Sequence, residues 1–234
     1  MKALVFAAGL GARMRPLTDH TPKPLLEVAG KPLIVWHLEK LAALGISEVA
    51  INTSWLAARF PQVLGDGARW GLRLHFLYEG ETPLETGGGL WNALPWLGEA
   101  PFLLVNGDIW TDYDFARLPR APDALAHLVL VDPPAHAPNG DFRLEADGRL
   151  HADGTPRLTY AGLGVYRPQL LQDWAHSVPD ARQLDGRPCF PLAPVLRAQM
   201  AAGRVRGEHY RGRWTDVGTP ERLARLDAKL RAGG

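Results

Sequence analysis

Gly9 and Gly11 stand just after an unbroken apolar run, Ala3 to Ala7, and lead into Ala12-Arg13-Met14-Arg15-Pro16. Glycines placed after a strand let the main chain approach an anion closely, with N–H groups directed at phosphate oxygens. Soon afterwards, Thr21-Pro22-Lys23-Pro24-Leu25 sets a lysine between two prolines. The prolines restrict the backbone on both sides, so Lys23 projects from a stiffened segment. A cation held this way loses less freedom on engaging a polyphosphate. Two better-known glycine signatures do not fit. A dinucleotide fingerprint needs a third glycine where Met14 stands, and Pro16 discourages the long helix that should follow. A P-loop would end in Gly-Lys-Ser or Gly-Lys-Thr, which is absent. Taken singly, the same residues also fit a ligand-free turn and an exposed loop lysine.

Two aspartates add a second kind of chemistry. Leu104-Val105-Asn106-Gly107-Asp108 puts a carboxylate just past the end of an apolar strand, where ligands gather in open α/β sheets. Trp214-Thr215-Asp216-Val217-Gly218-Thr219-Pro220 supplies another before the last helix. Mg²⁺ takes oxygen ligands, often one or two carboxylates completed by substrate phosphates and water. A turn role for Asp108 and a capping role for Asp216 are the alternatives. The stretch from Glu79 through Thr86-Gly87-Gly88-Gly89 leaves a strand and enters a helix. Amides exposed in such a glycine-rich turn are suited to reading the edge of a base; a loop that merely turns the chain is the other reading.

The elements that must position these groups follow from apolar periodicity. Strands are expected at Ala3–Ala7, Val49–Asn52, Leu72–Tyr78, Phe102–Val105, Leu128–Val131 and Leu163–Tyr166. A helix begins near Pro32, carries Leu33, Trp36, Leu41 and Leu44, and stops at Gly45. Further helices are expected near Leu56–Leu64 and after Thr219-Pro220-Glu221, the last with Leu223, Leu226 and Leu230 on one face. Residues 133–157 are rich in Pro, Gly and Asp and read as looped or hairpin-like. Strands alternating with helices over the first half indicate an α/β layer structure with a mainly parallel sheet.

Composition narrows the partners. With 234 residues the chain is expected to form one domain, and its net charge of +1 comes from acidic and basic residues mixed along its length. That balance argues against a nucleic-acid partner but leaves small anionic substrates open. Cys189 is the single cysteine, so no disulfide forms within the chain. The amino-terminal apolar run is broken by Gly9 and Gly11 and followed by arginines, unlike a signal peptide. No stretch approaches the roughly 20 apolar residues of a membrane span. The expected location is therefore the cytoplasm, and no protein partner is implied.

Together, Gly9 to Pro16, Pro22-Lys23-Pro24-Leu25 and Gly30-Lys31-Pro32-Leu33 resemble the signature of the sugar nucleotidyltransferases. The resemblance runs along nearly the whole chain. Leu84 to Gly89, Asn139-Gly140-Asp141-Phe142, Tyr160 to Tyr166, Phe190-Pro191-Leu192-Ala193-Pro194 and Trp214 to Pro220 look most like the subgroup that makes UDP-N-acetylmuramic acid. Gly87 departs from it, because relatives often carry alanine there. This resemblance implies a Rossmann-like nucleotide-diphospho-sugar transferase fold, α/β, with a mixed, mainly parallel central sheet flanked by helices. It also implies one domain over 1–234, with residues 1–110 mainly for the nucleotide and 111–234 mainly for the sugar, without an appended β-helix or regulatory module.

For the site, the resemblance implies Arg13 and Lys23 as catalytic cations and Asp108 and Asp216 as Mg²⁺ ligands. It places the nucleotide on Gly9, Gly11, Ala12, Arg13, Lys23, Glu79, Thr86 and Gly87, and the sugar phosphate near Asn106, Gly140, Asp141, Gly162 and Asp216. Asp141 or Glu145 would hold a sugar hydroxyl. The implied substrates are UTP and N-acetylmuramic acid 1-phosphate, in peptidoglycan recycling, with pyrophosphate released. Uridylyl-, thymidylyl- or guanylyl transfer to glucose, mannose or heptose 1-phosphate is the alternative within the class. Outside it stand a dinucleotide-dependent oxidoreductase and a non-catalytic nucleotide-sugar sensor.

Overall fold

A computed structural model describes residues 1–233. Strand β1 (Ala3–Phe6) is followed by a two-stranded ribbon, β2 (Glu27–Val28) and β3 (Lys31–Pro32), and by helix α1 (Leu33–Ala43). Then come β4 (Glu48–Thr53), α2 (Arg59–Leu64), β5 (Arg73–Tyr78), α3 (Glu85–Leu97) and β6 (Phe102–Asn106). The second half runs through β7 (Ile109–Thr111), β8 (Ala126–Val131), the short ribbon β9 (Arg143–Leu144) and β10 (Leu150–His151), and β11 (Thr159–Tyr166). Helix α4 (Trp174–Ser177), hairpin β12 (Arg182–Leu184) and β13 (Arg187–Cys189), α5 (Leu192–Ala201), β14 (Val205–His209), β15 (Trp214–Asp216) and α6 (Pro220–Arg231) complete it.

Seven strands form one sheet in the order β14-β8-β11-β6-β1-β4-β5. Only β11 runs against its neighbours; the other pairings are parallel. The expected mixed, mainly parallel sheet is therefore present. Along β1, Ala3 and Val5 enter one core and Leu4 the other, as the two-residue repeat of a strand buried on both faces requires. Ile34, Leu38 and Leu41 of α1 with Phe60 and Leu64 of α2 cover the first face. Leu90, Ala93 and Leu97 of α3 with Leu192, Val195 and Leu196 of α5 cover the second.

A smaller third cluster joins Met14, Leu26, Val28, Leu33 and Trp110 to Val217, just after β15, and to Leu226 of the last helix. Met14, the residue that breaks the dinucleotide fingerprint, is fully buried there. It anchors the glycine loop in apolar contacts instead of opening it for a helix. Thr219 caps α6 as expected, its side chain accepting the Arg222 N–H.

Three features were not legible in the apolar pattern. Strand β14, Val-Arg-Gly-Glu-His, lies at the sheet edge with alternate burial and no continuous apolar run. Strands β7 and β15 are three residues each and pair only with one another. The glycine-rich stretch after Glu85 is not an exposed turn, and this corrects the expectation. Gly87, Gly88 and Gly89 lie buried in the first turns of α3. A Cβ on Gly87 would stand 2.4 Å from the Phe190 ring, and one on Gly88 2.3 Å from the Pro188 carbonyl oxygen. These glycines let the helix press against β13 and the segment after it. No helix among the described residues is long and apolar enough to cross a membrane.

Candidate active site

The order of connections reverses at β1: β4 and β5 extend the sheet one way, while β6 lies on the other side. Ligand crevices in open α/β sheets form at such a point, beyond the carboxyl ends of the strands. A cleft of about 340 Å³ lies there, reached by Phe6 at the end of β1, Asn52 from β4, Glu79 just after β5, and Asn106 and Asp108 at and beyond the end of β6. Phe6 is in register with both Asn52 and Asn106, so the three strand ends form one row.

The glycine loop makes one wall. Gly9, Gly11, Ala12 and Arg13 all line the cleft. Gly11 adopts φ +63°, and a Cβ there would lie 2.8 Å from Thr18 Cγ2, so both backbone and space require glycine. The Thr18 hydroxyl donates to the Gly11 carbonyl at 2.8 Å. At Gly9 a Cβ would meet nothing within 4 Å, so the room beside it is open for a ligand. The amides of Gly9, Leu10 and Gly11 have no acceptor among the described residues.

Lys23 starts a tight turn closed by the Leu25 N–H donating to the Pro22 carbonyl, with Pro24 and Leu25 buried. Its Nζ donates to Asp108 Oδ2 at 2.6 Å. The Lys23 side chain is 11 % exposed and that of Asp108 39 %. Behind this pair, the Gly107 N–H donates to the Phe6 carbonyl at 2.8 Å, and a Cβ on Gly107 would lie 2.7 Å from the same oxygen. Helix α1 fixes the strand that follows Asp108. His37 Nε2 lies 2.9 Å from the Ile109 carbonyl, and Lys40 Nζ donates to the Thr111 and Tyr113 carbonyls at 2.7 and 2.8 Å. Burial pushes the His37 imidazole down to about 4, so at neutral pH it is uncharged and donates through Nε2–H. Neither residue was anticipated; their one signal is a histidine and a lysine on the otherwise apolar side of α1. None of the eight histidines lines the cleft.

Asp216 arrives from β15, which pairs with β7 so that Asp216 stands opposite Ile109, while the Val217 N–H donates to the Asp108 carbonyl at 2.8 Å. The two acidic residues, distant in sequence, thus stand on adjoining segments. Their surroundings differ. Asp108 Oδ1 has no partner among the described residues. Both Asp216 oxygens lie within 3.1 Å of Arg222 Nη1, and His136 Nε2 is 3.1 Å from Oδ1. Gly218 lines the cleft; Asp216 sits two residues away, behind it.

At the far end, Glu79 is buried and committed. Asn52 Nδ2 donates to its Oε1 at 2.6 Å, the Leu84 N–H donates to its Oε2 at 3.1 Å, and Asn52 Oδ1 accepts the Ala7 N–H at 2.6 Å. Burial raises the Glu79 carboxyl above its ordinary range, against the pull of these donors. The carboxylate therefore ties β5 and the start of α3 to the end of β1. Asn52 was not anticipated; an amide residue closing an apolar strand was its only signal. The expected free amide at Gly87 is absent, because this N–H donates to the Phe190 carbonyl at 2.9 Å. Thr86 lines the cleft, its hydroxyl accepting the Leu192 N–H at 2.9 Å. Glu85, beside it, lines the cleft with φ +60°, unusual for a side chain of this size.

A second cavity of about 190 Å³ adjoins the first and shares Phe6, Thr86 and Asn106 with it. Asp141 lines it, and its Oδ2 accepts the Tyr160 N–H at 2.8 Å. Glu145 does not line it; it pairs with Arg143 at 2.7 Å. Gly140 lies against the Arg157 backbone and reaches neither cavity. Gly162, with φ +74°, sits in the β-bulge of β11, and a Cβ there would stand 2.7 Å from Asn106 Nδ2. Gly162→Ala should cost about 1–3 kcal/mol, the usual penalty of a left-handed non-glycine residue, and displace Asn106. Urea unfolding measures it; stability equal to wild type would show that the bulge relaxes freely.

A glycine loop with unbonded amides, a lysine–aspartate pair and a two-part crevice on a mainly parallel sheet are features suited to phosphate esters. The sequence profile described as nucleotidyl transferase matches residues 2–142, and the chain belongs to that family. It is 45% identical to the N-acetylmuramate alpha-1-phosphate uridylyltransferase of Neisseria meningitidis, over 97% of both chains. It is 33% identical to the Caulobacter vibrioides protein of the same name over 97% of this chain and 96% of the other. To the Mycobacterium tuberculosis mannose-1-phosphate guanylyltransferase it is 32% identical, over 99% of this chain and 65% of that one. Among solved structures, HddC from Yersinia pseudotuberculosis complexed with GMP-PN superposes with a TM-score of 0.75 at 19% identity, covering 98% of this chain and 99% of that one. The fold is thus that of the nucleotide-diphospho-sugar transferases, as expected, and enzymes of this kind generally use a divalent metal ion.

Proposed function

We propose that the protein joins UTP to N-acetylmuramic acid α-1-phosphate, giving UDP-N-acetylmuramic acid and pyrophosphate in peptidoglycan recycling. The observation that carries this reading is the convergence of Gly9, Gly11, Arg13, Lys23 and Asp108 on one cleft. Its neighbour across Thr86 and Asn106 is of a size to take a sugar. The 45% identity to a uridylyltransferase of this specificity supports the particular substrates. In this reading residues 1–110 chiefly bind the nucleotide and 111–234 chiefly the sugar.

In the reaction an oxygen of the sugar phosphate attacks the α-phosphorus of UTP in line. The new P–O bond forms as the bond to the β-phosphate bridging oxygen breaks, and its electron pair leaves with pyrophosphate. The nucleophile is already ionised near neutral pH, so no general base is needed. Bringing two anions together makes positioning and charge neutralisation the main tasks. The free amides of Gly9, Leu10 and Gly11 hold phosphate oxygens. Arg13, which has no ion pair among the described residues, offsets charge on the departing pyrophosphate through its planar fork. Lys23 lies against the reacting phosphates.

Asp108 and Asp216 fit a divalent ion by donor chemistry: hard oxygens, two carboxylates on adjoining segments, one oxygen of Asp108 uncommitted. Two carboxylates alone do not fill the shell of Mg²⁺, so phosphate oxygens of the substrates and water would complete it. Bound there, Mg²⁺ would neutralise charge on the α-phosphate. Arg222 and His136 hold Asp216 in place. Of the two acidic candidates for a sugar hydroxyl, Asp141 is the better placed, while Gly162 leaves room for Asn106.

Pyrophosphate release measured across UTP, dTTP and GTP with N-acetylmuramic acid, glucose, mannose and heptose 1-phosphates tests the assignment. The highest kcat/KM is expected for UTP with the muramic acid derivative. Faster turnover of any other pair replaces it.

A further inference from the structure

Two charged side chains line the smaller cavity, Asp141 and Arg197, and they are differently placed. Asp141 is already held by the Tyr160 N–H. Arg197 is exposed and makes no hydrogen bond or ion pair with any described residue, so in the free protein water solvates it. It lies on α5, where Leu192 and Leu196 are four residues apart, as are Ala193 and Arg197, and all four line the cavity. Residues so spaced lie one above the other on a helix. The wall is therefore apolar and ends in a free guanidinium. Leu192 and Leu196 are buried in the second core, and the Leu192 N–H is bonded to Thr86, so the wall is fixed relative to the nucleotide cleft.

A neutral hexose would cover the apolar wall poorly and leave the guanidinium without a counter-ion. A sugar bearing an ether-linked lactyl group offers both a methyl for the wall and a carboxylate for the fork of Arg197, a strong charge-assisted pairing. Asp141 repels such a carboxylate, so the two charges orient the sugar in one sense. We infer that Arg197 binds the lactyl carboxylate of the sugar phosphate and thereby discriminates N-acetylmuramic acid 1-phosphate from N-acetylglucosamine 1-phosphate. This rests on the muramic acid assignment of the proposed function, and it names a residue that makes that choice.

The test compares kcat/KM for these two sugar phosphates, with UTP saturating, in wild type, Arg197→Met and Arg197→Lys. Wild type should favour the muramic acid substrate. Arg197→Met should shrink the ratio of the two values by about 5- to 10-fold, the low end for a charge-assisted hydrogen bond because the guanidinium is exposed and partly screened by water. Arg197→Lys keeps the charge without the fork and should fall between. An unchanged ratio in Arg197→Met, with the muramic acid substrate still preferred, overturns the role of Arg197 and leaves the proposed function standing. An equal loss on both substrates likewise overturns it, because the defect would then be general. A wild-type enzyme that shows no preference overturns both.

Discussion

Lys23→Ala should lower turnover by about 10²–10³-fold, the scale for losing one preorganised contact to charge in a transition state. Three features argue for so large an effect. The lysine is held between prolines in a closed turn, so its charge needs little reorganisation. It is almost enclosed, so water screens it weakly. Removing it also takes a positive charge from beside Asp108, so this corner of the cleft attracts phosphate less. The loss belongs in kcat and kcat/KM together if Lys23 acts chiefly on the transition state. Steady-state pyrophosphate release is the measurement, with denaturant unfolding to show that the variant is folded. Turnover within about threefold of wild type would remove Lys23 from the reaction.

Asp108→Asn should produce a loss of similar size, about 10²–10³-fold, but of a different kind. The amide keeps the shape of the side chain and can still accept from Lys23, so the fold should tolerate it. What disappears is a negative charge suited to a divalent cation. The concentration of Mg²⁺ needed for half-maximal activity should therefore rise, whereas in Lys23→Ala, which frees Asp108 Oδ2 and removes a neighbouring positive charge, it should not rise. A metal titration on both variants separates the roles. An Asp108→Asn enzyme with full turnover and an unaltered Mg²⁺ requirement would show that the carboxylate serves Lys23 alone.

His37 and Lys40 show how much of such a site lies outside its lining. Neither reaches the cleft, yet both hold the carbonyls of the strand that carries on from Asp108. Asn52 does the same for the glycine loop through the Ala7 N–H, and it is itself fixed by Glu79.

What the sequence by itself determined is local. Glycines after an apolar strand, a lysine between prolines, and an aspartate past a strand end mark the phosphate chemistry because each depends on a few neighbouring residues: backbone freedom at Gly11, restriction at Lys23, position after β6 for Asp108. The strand and helix pattern that makes a mainly parallel sheet is equally local, since it follows from apolar periods of two and of three to four. Only the tertiary structure decided which of these groups meet and which are already engaged. Lys23 and Asp108 are 85 residues apart, Asn52 and Glu79 27, Thr86 and Leu192 106. Such pairings are set by strand order and by which helix covers which face, and no short-range period records them. For the same reason the sequence could not tell that the Gly87 amide is occupied by Phe190, that Arg222 and His136 grip Asp216, or that the exposed Arg197 has no partner among the described residues beside an apolar wall.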